Sequence, residues 1–199
     1  MHPRTSTIAL LVACCCAVAP SVAAAQDTSG GSMGGGQAYG TTGGQAFGEP
    51  NPALVGTVPG TQAKLLPNGL AAAPAGAPAV VQKAIWAANE IIGLPYRYGG
   101  GHRSFQDTAF DCSGTVSHAL GGASLLRAPL DSSDFMSWGA AGRGTWITVY
   151  TNPGHAYTVI AGLRLDTSAA DDPHGLPGPR WRPLRHSNAG YRQRHPVGY

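Results

Sequence analysis

A stretch poor in core-forming side chains, residues 26–61, sets the limit on what this chain can fold into. It is dominated by small and polar residues and carries a short repeat, Gly35-Gly36-Gln37-Ala38-Tyr39-Gly40 and then Gly43-Gly44-Gln45-Ala46-Phe47-Gly48. Such a segment buries too little apolar surface to offset the entropy of ordering it. It reads as a Gly-rich disordered linker. Residues 62–76 then form a lead-in arm, with a turn at Pro67-Asn68-Gly69 that suits a short hairpin. One domain of about 120 residues remains, residues 77–199, with a C-terminal extension from about 169.

What precedes the linker sets the compartment. Met1 to Arg4 are weakly positive, an apolar run follows from Ile8 to Val18, and Ala23-Ala24-Ala25 stands before Gln26. That is the pattern of a secretory signal peptide over residues 1–25, cleaved near Ala25. The run is too short and too interrupted for a membrane span. Leu11-Val12-Ala13-Cys14 offers a rival, a lipid anchor on Cys14. Either route predicts a secreted or envelope protein. The net charge of +3, without a Lys/Arg run, argues against nucleic acid as a partner. We expect a monomer.

Three of the four cysteines, Cys14, Cys15 and Cys16, lie in the leader. The mature chain keeps Cys112 alone and can form no internal disulfide. A lone thiol in an oxidising compartment is either buried or used.

Val80, Val81, Ala84, Ile85, Ala88, Ile91 and Ile92 recur at helical spacing and predict a helix over residues 78–92, stopped by Gly93. Pro95 biases the segment through Tyr98 to an extended path, and Gly99-Gly100-Gly101 makes a flexible turn. A second helix is expected over 113–120 and a short third over 131–138, capped by Asp131 or Ser132. From Thr145 the pattern turns strand-like, with a hairpin closed at Ala161-Gly162. Helices first and strands afterwards predict an α+β fold, N-terminal helices packed on a small antiparallel sheet.

Cys112 falls at the start of the second helix, in Asp111-Cys112-Ser113-Gly114. Backbone amides and the helix dipole there favour negative charge, the form in which a thiol is nucleophilic. The same amides can receive an oxyanion, and Gly114 leaves room for a substrate. Such a cysteine still needs a base. His155 is the candidate, at a strand start after Pro153-Gly154. Of the other histidines, His2 is in the leader, His118 lies on the second helix as a structural or solvated residue, and His102 sits in the loop after the triple glycine, where it could border a cleft. His174, His186 and His195 fall in a polar tail.

Three segments, Gly93-Leu94-Pro95-Tyr96-Arg97-Tyr98-Gly99-Gly100, Asp111-Cys112-Ser113-Gly114 and Gly154-His155-Ala156-Tyr157, resemble the landmark motifs of the NlpC/P60 family, in its order and at comparable spacing. The resemblance covers residues 77–167. It implies a papain-like fold and a cysteine peptidase of the bacterial envelope that cuts peptidoglycan stem peptides, commonly between D-glutamate and a diamino acid. It also implies Cys112 as nucleophile, His155 as base, and Tyr96, Asp111 and Ser113 as residues that shape the substrate pocket and hold the stem-peptide amine. No cofactor or metal is expected, and no His-Glu-x-x-His spacing is present.

Two departures stand out. The family's third catalytic residue is usually His, Asn or Gln on the next strand, where this chain reads Leu163-Arg164-Leu165-Asp166-Thr167-Ser168. Asp166 is the choice, since a carboxylate can orient an imidazole; its rival role is a turn residue or a partner of Arg164, and Thr167 is the fallback. The family often has Val-Gly after the histidine, and here Ala156-Tyr157 puts a bulkier neighbour beside the pocket. The tail, with Arg180, Trp181, Arg182, Arg185, Tyr191, Arg192 and Arg194, reads either as an arm beside the active site whose arginines face substrate carboxylates or as a solvated extension; partial packing is expected, because Trp181 and Tyr191 offer apolar surface. Three alternatives stay open: a wall-peptide-binding relative without catalysis, an amidase or acyltransferase on the same scaffold, and a surface protein that adheres through its Gly-rich arm.

Overall fold

The computed structural model describes residues 51–172 and 175–199. The leader, Cys14, most of the linker and His174 lie outside the described residues. The elements run from a short 3-10 helix (Pro52–Leu54) through β1 (Thr57–Val58), β2 (Lys64–Leu65) and β3 (Ala71–Pro74) to α1 (Ala79–Ile91) and α2 (Cys112–Gly122). After α3 (Ser132–Phe135) come β4 (Ala140–Ala141), β5 (Ile147–Asn152), β6 (His155–Ile160), β7 (Leu163–Asp166), β8 (Arg180–Arg182) and β9 (Arg192–His195). The fold is α+β. No helix among the described residues is long and apolar enough to cross a membrane.

The six-stranded sheet has the order β4-β9-β5-β6-β7-β8, and every pairing in it is antiparallel. Strand alternation divides its residues between two faces. Ile147 and Val149 of β5, Ala156 and Ile160 of β6, Leu165 of β7 and Trp181 of β8 join the core with α1 and α2. The alternate positions, including Tyr150, Tyr157, Arg164, Asp166 and Arg182, form the outer face.

Helix α1 buries Val81, Ala84, Ile85, Ala88 and Ile91, a stripe at helical spacing that packs on this sheet and on α2. It begins and ends one residue inside the expected range and stops before Gly93, which adopts φ +93°. Helix α2 is buried almost all round, Cys112 to Gly121. A central helix of this kind holds its first residue rigidly, and its first residue is Cys112.

β2 and β3 form the hairpin around Pro67-Asn68-Gly69, and β1 adds to β3 in parallel. β1 falls inside the stretch expected as linker; two paired residues suffice because Ala71, Ala72 and Ala73 beside them are already buried. Asn89 ties this small sheet to the rest. Its amide accepts from Ala71 N at 2.9 Å and from the Trp181 indole at 2.9 Å, and donates to Ala71 O at 2.8 Å and Leu54 O at 3.0 Å. Asn89→Leu keeps the volume and strands several of these buried partners. We expect a loss of about 2–4 kcal/mol in denaturant unfolding; a loss below about 0.5 kcal/mol would show that the hub carries no weight.

β8 and β9 lie beyond residue 169, in the expected extension. β9 inserts between β4 and β5, and β8 closes the far edge on β7. The tail is thus part of the sheet. Two of its arginines are held by the chain's own oxygens, while Arg192 is exposed. Arg182 is buried and donates to Asp166 O at 2.9 Å and to Asp172 Oδ2 at 2.7 Å, and Arg194 donates to the carbonyls of Ser137, Trp138 and Gly139. These side chains bind the chain's own oxygens because sheet pairing turns them inward.

Candidate active site

Asp111 sets the start of α2. Its Oδ1 accepts from Gly114 N at 2.8 Å, an N-cap, and its Oδ2 accepts from Gly99 N at 3.0 Å. One carboxylate therefore aligns the helix and draws the triple-glycine loop against it. Asp107 pins the same loop. It takes Gly101 N at 3.0 Å and Arg97 Nη2 at 2.7 Å, and these bonds, Gly101's first, hold its carboxyl down at about 2.

The loop comes so close that Gly114 has no space for a side chain. A Cβ there would stand 2.0 Å from Gly100 O and 3.1 Å from Gly101 Cα. The room expected at Gly114 for a substrate is filled by backbone. Gly114→Ala must push the loop and the helix start apart, at about 1–3 kcal/mol or more. We expect a lower melting temperature together with slower alkylation of Cys112. A variant as stable and as reactive as the wild type would overturn this close packing.

Cys112 is 9 % exposed and is a free thiol. Its partner is His155, the first residue of β6, which follows a turn held by Asn152 Oδ1 on the amides of Gly154 and His155. The Cys112 thiol lies close enough on one side of the imidazole to favour a proton on the ring. On the other, His155 Nε2 lies 2.9 Å from Asp166 Oδ1. Nδ1 is therefore the nitrogen left for the thiol. Asp166, the last residue of β7, is fully buried, and its Oδ1 also accepts from Ser168 N at 2.9 Å. Burial opposes charge on the ring, but the Asp166 and Cys112 hydrogen bonds and their negative charges outweigh it, pushing His155 up to about 9.

The structure thus puts Asp166 against one side of the His155 ring, with Cys112 close to it. Arg164 Nη1 is 3.7 Å from Asp166 Oδ2, so Asp166 lies against both His155 and Arg164. Thr167, the fallback, is buried.

Tyr96 is 46 % exposed and joins Phe110 through a parallel bridge, which places it beside Cys112. Burial first, and then the charges of Cys112 and Asp111, raise its phenol above the ordinary value. Asp111 and Ser113 are buried, and both meet His102 Nε2, at 3.0 Å each. His102 is thus a site residue that the motifs do not carry; its nearness to the triple glycine was the only sign. His118 is structural: it is fully buried, with ring nitrogens 2.6 Å from Phe105 O and 3.0 Å from Ala87 O.

Tyr157 lies with its ring centroid 6.2 Å from that of His155. It is buried on the outer face, stacked on Tyr150 with centroids 4.9 Å apart, and its hydroxyl donates to Asn188. Arg185 lies over both Tyr157 and Tyr191, at 5.3 and 5.4 Å from the ring centroids. A groove of about 630 Å³ opens on this face, lined by residues including Arg143, Trp146, Tyr150, Tyr157, Arg185 and Asn188. Neither Cys112 nor His155 lines it.

No protein-family model matches the chain, and no curated protein matches it. Among solved structures, it is similar to the peptidoglycan hydrolase RipB of Mycobacterium tuberculosis, at 22% identity and a TM-score of 0.47, over 60% of this chain and 66% of that one. It is also similar to RipD of the same organism, described as a non-catalytic NlpC/p60 domain protein adapted to peptidoglycan binding, at 18% identity and a TM-score of 0.41, over 59% of this chain and 98% of that one. A third is the P60 domain of a Mycobacterium avium paratuberculosis antigen, at 19% identity and a TM-score of 0.43, over 58% of this chain and 93% of that one. The chain spans somewhat less than two thirds of the length of the first structures it matches, 66% and 61%. The solved structures it is similar to are NlpC/P60 domains.

Proposed function

We propose that this chain is an exported cysteine peptidase that hydrolyses peptide bonds in peptidoglycan stem peptides, between D-glutamate and a diamino acid. The observation that carries the chemistry is the Cys112–His155–Asp166 group, with the thiol at a buried helix start. The substrate class rests on the three motif segments.

In this reading Cys112 and His155 react as thiolate and imidazolium. The sulfur attacks the scissile carbonyl carbon, and the carbonyl electrons move onto oxygen. The first amides of α2 have no partner within the helix, and Gly114's is taken by the Asp111 cap. The amides before it receive the oxyanion. His155 gives its proton to the amine nitrogen, the C–N bond breaks, and a thioester remains on Cys112. Water then gives a proton to the neutral ring and adds to the thioester, and the carboxylic acid leaves as sulfur recovers its electron pair. Asp166 keeps the ring oriented throughout and supports its charge. Tyr96, with Asp111 and Ser113 behind His102, shapes the pocket that holds the stem-peptide amine.

Digestion of purified peptidoglycan tests this directly. The wild type should release fragments whose new amino termini are those of the diamino acid, read by mass spectrometry, and Cys112→Ala should release none. Release by both proteins, or by neither while both are folded, would refute the reading.

A further inference from the structure

Asp166 sits in an unusual setting for a carboxylate. Its Oδ1 is committed to His155 Nε2 and to Ser168 N. Its Oδ2 is buried and has no hydrogen-bond partner. The cations nearest that oxygen are Arg164 Nη1 at 3.7 Å and Arg185 Nη1 at 3.9 Å. Arg164 is fully buried, and its Nε and Nη1 also lack partners, while its Nη2 is fixed on Ala170 O at 2.6 Å. A buried carboxylate takes up a proton unless positive charge compensates it.

We propose that Arg164 and Arg185 are positioning residues that hold Asp166 ionised beneath His155; the inference rests on the Cys112–His155 reading above. They touch neither thiol nor substrate and act through Asp166. Arg164 comes from β7 itself. Arg185 comes from the C-terminal arm, braced by Tyr191 Oη at 2.9 Å, by the Tyr157 and Tyr191 rings, and by Asp171 at 3.9 Å. The arm therefore supplies a charge to the site, although it lies beyond the three motifs. The groups facing Asp166 are His155 and Tyr157 from β6, Arg164 from β7 and Arg185 from the arm. Arg182 of β8 bonds only its main-chain oxygen and is neutralised by Asp172 at 2.7 Å.

Without one of the two guanidinium groups the buried charge on Asp166 is less well compensated, the imidazolium is held less firmly, and the Cys112–His155 ion pair gives way more readily to acid.

The test is the pH profile of Cys112 alkylation by iodoacetamide in the full chain, read at that residue by peptide mass spectrometry, with circular dichroism for folding. Arg164→Met should raise the midpoint of the acid limb by about one pH unit. Arg185→Met should raise it by less, and Arg164→Lys, which keeps the charge, should leave it within a few tenths. In an Asp166→Asn background the same substitutions should no longer move it. If Arg164→Met fails to fold, Arg185→Met on the chain's rim decides. A uniform fall in reactivity with an unmoved acid limb would overturn the inference and leave the peptidase reading intact. A wild-type Cys112 with the profile of a free thiol would overturn the peptidase reading first, and the inference with it.

Discussion

His155→Ala is expected to lower hydrolysis of a stem peptide by about 10²–10⁴-fold while the protein stays folded. The loss is large because the ring does two jobs: it accepts the thiol proton and delivers it to the leaving amine. Folding should survive because the side chain is 20 % exposed at the end of a strand, outside the core. The wild-type pH profile carries the same signature. With His155 pushed up to about 9, the imidazolium persists through neutral pH, and hydrolysis should fall as pH rises through about 9. Stability follows with the same sign. The folded value lies above the ordinary 6.5 of an unfolded histidine, so the contribution is full below about 6.5 and is lost as pH rises to about 9. Kinetics and thermal melts across pH 6–10 check both; an alkaline limb centred near 6.5 would show that Asp166 and Cys112 do not hold the proton on the ring.

Asp166→Asn is expected to damage stability and activity together. It preserves shape but removes the negative charge that Arg164, Arg185 and His155 share. Taking one partner from a buried ion cluster costs about 3–5 kcal/mol, which in a chain of this size lowers the melting temperature by about 10 °C. The alkaline limb of hydrolysis should move down, since the ring loses its main charge support. A neutral residue is the usual choice in the family that the motifs resemble, so an Asn variant of undiminished stability would show the two arginines to be well solvated without Asp166.

The parts of this site legible in the sequence are those set by local rules. A capped helix start puts Cys112 at its end, a Pro-Gly turn starts a strand at His155, and a tight Ala161-Gly162 connection brings the next strand back so that Asp166 reaches the ring. Gly93 and the apolar spacing before it placed α1 within a residue at each end. What was illegible depends on long-range pairing. Arg182 and Arg194 stood in a Gly- and Pro-rich tail with no local sign of their partners, yet sheet register turns them toward carbonyls of distant segments. Asn89 gives no local signal, because its partners Leu54, Ala71 and Trp181 are 18 to 92 residues away. Gly114 was read as room for substrate, because nothing local reveals that residues 100 and 101 pack against it. β1 escaped notice because its two residues pair only once β3 is in place.

The central claim is that Cys112 and His155 share a proton as an ion pair. The most direct measurement is the alkylation rate of Cys112 by iodoacetamide at pH 6, compared with that of glutathione and of the His155→Ala variant. The account predicts that native Cys112 reacts at least tenfold faster than both, because His155 takes the thiol proton and leaves the nucleophilic thiolate. A rate equal to that of glutathione, unchanged by His155→Ala, would contradict it.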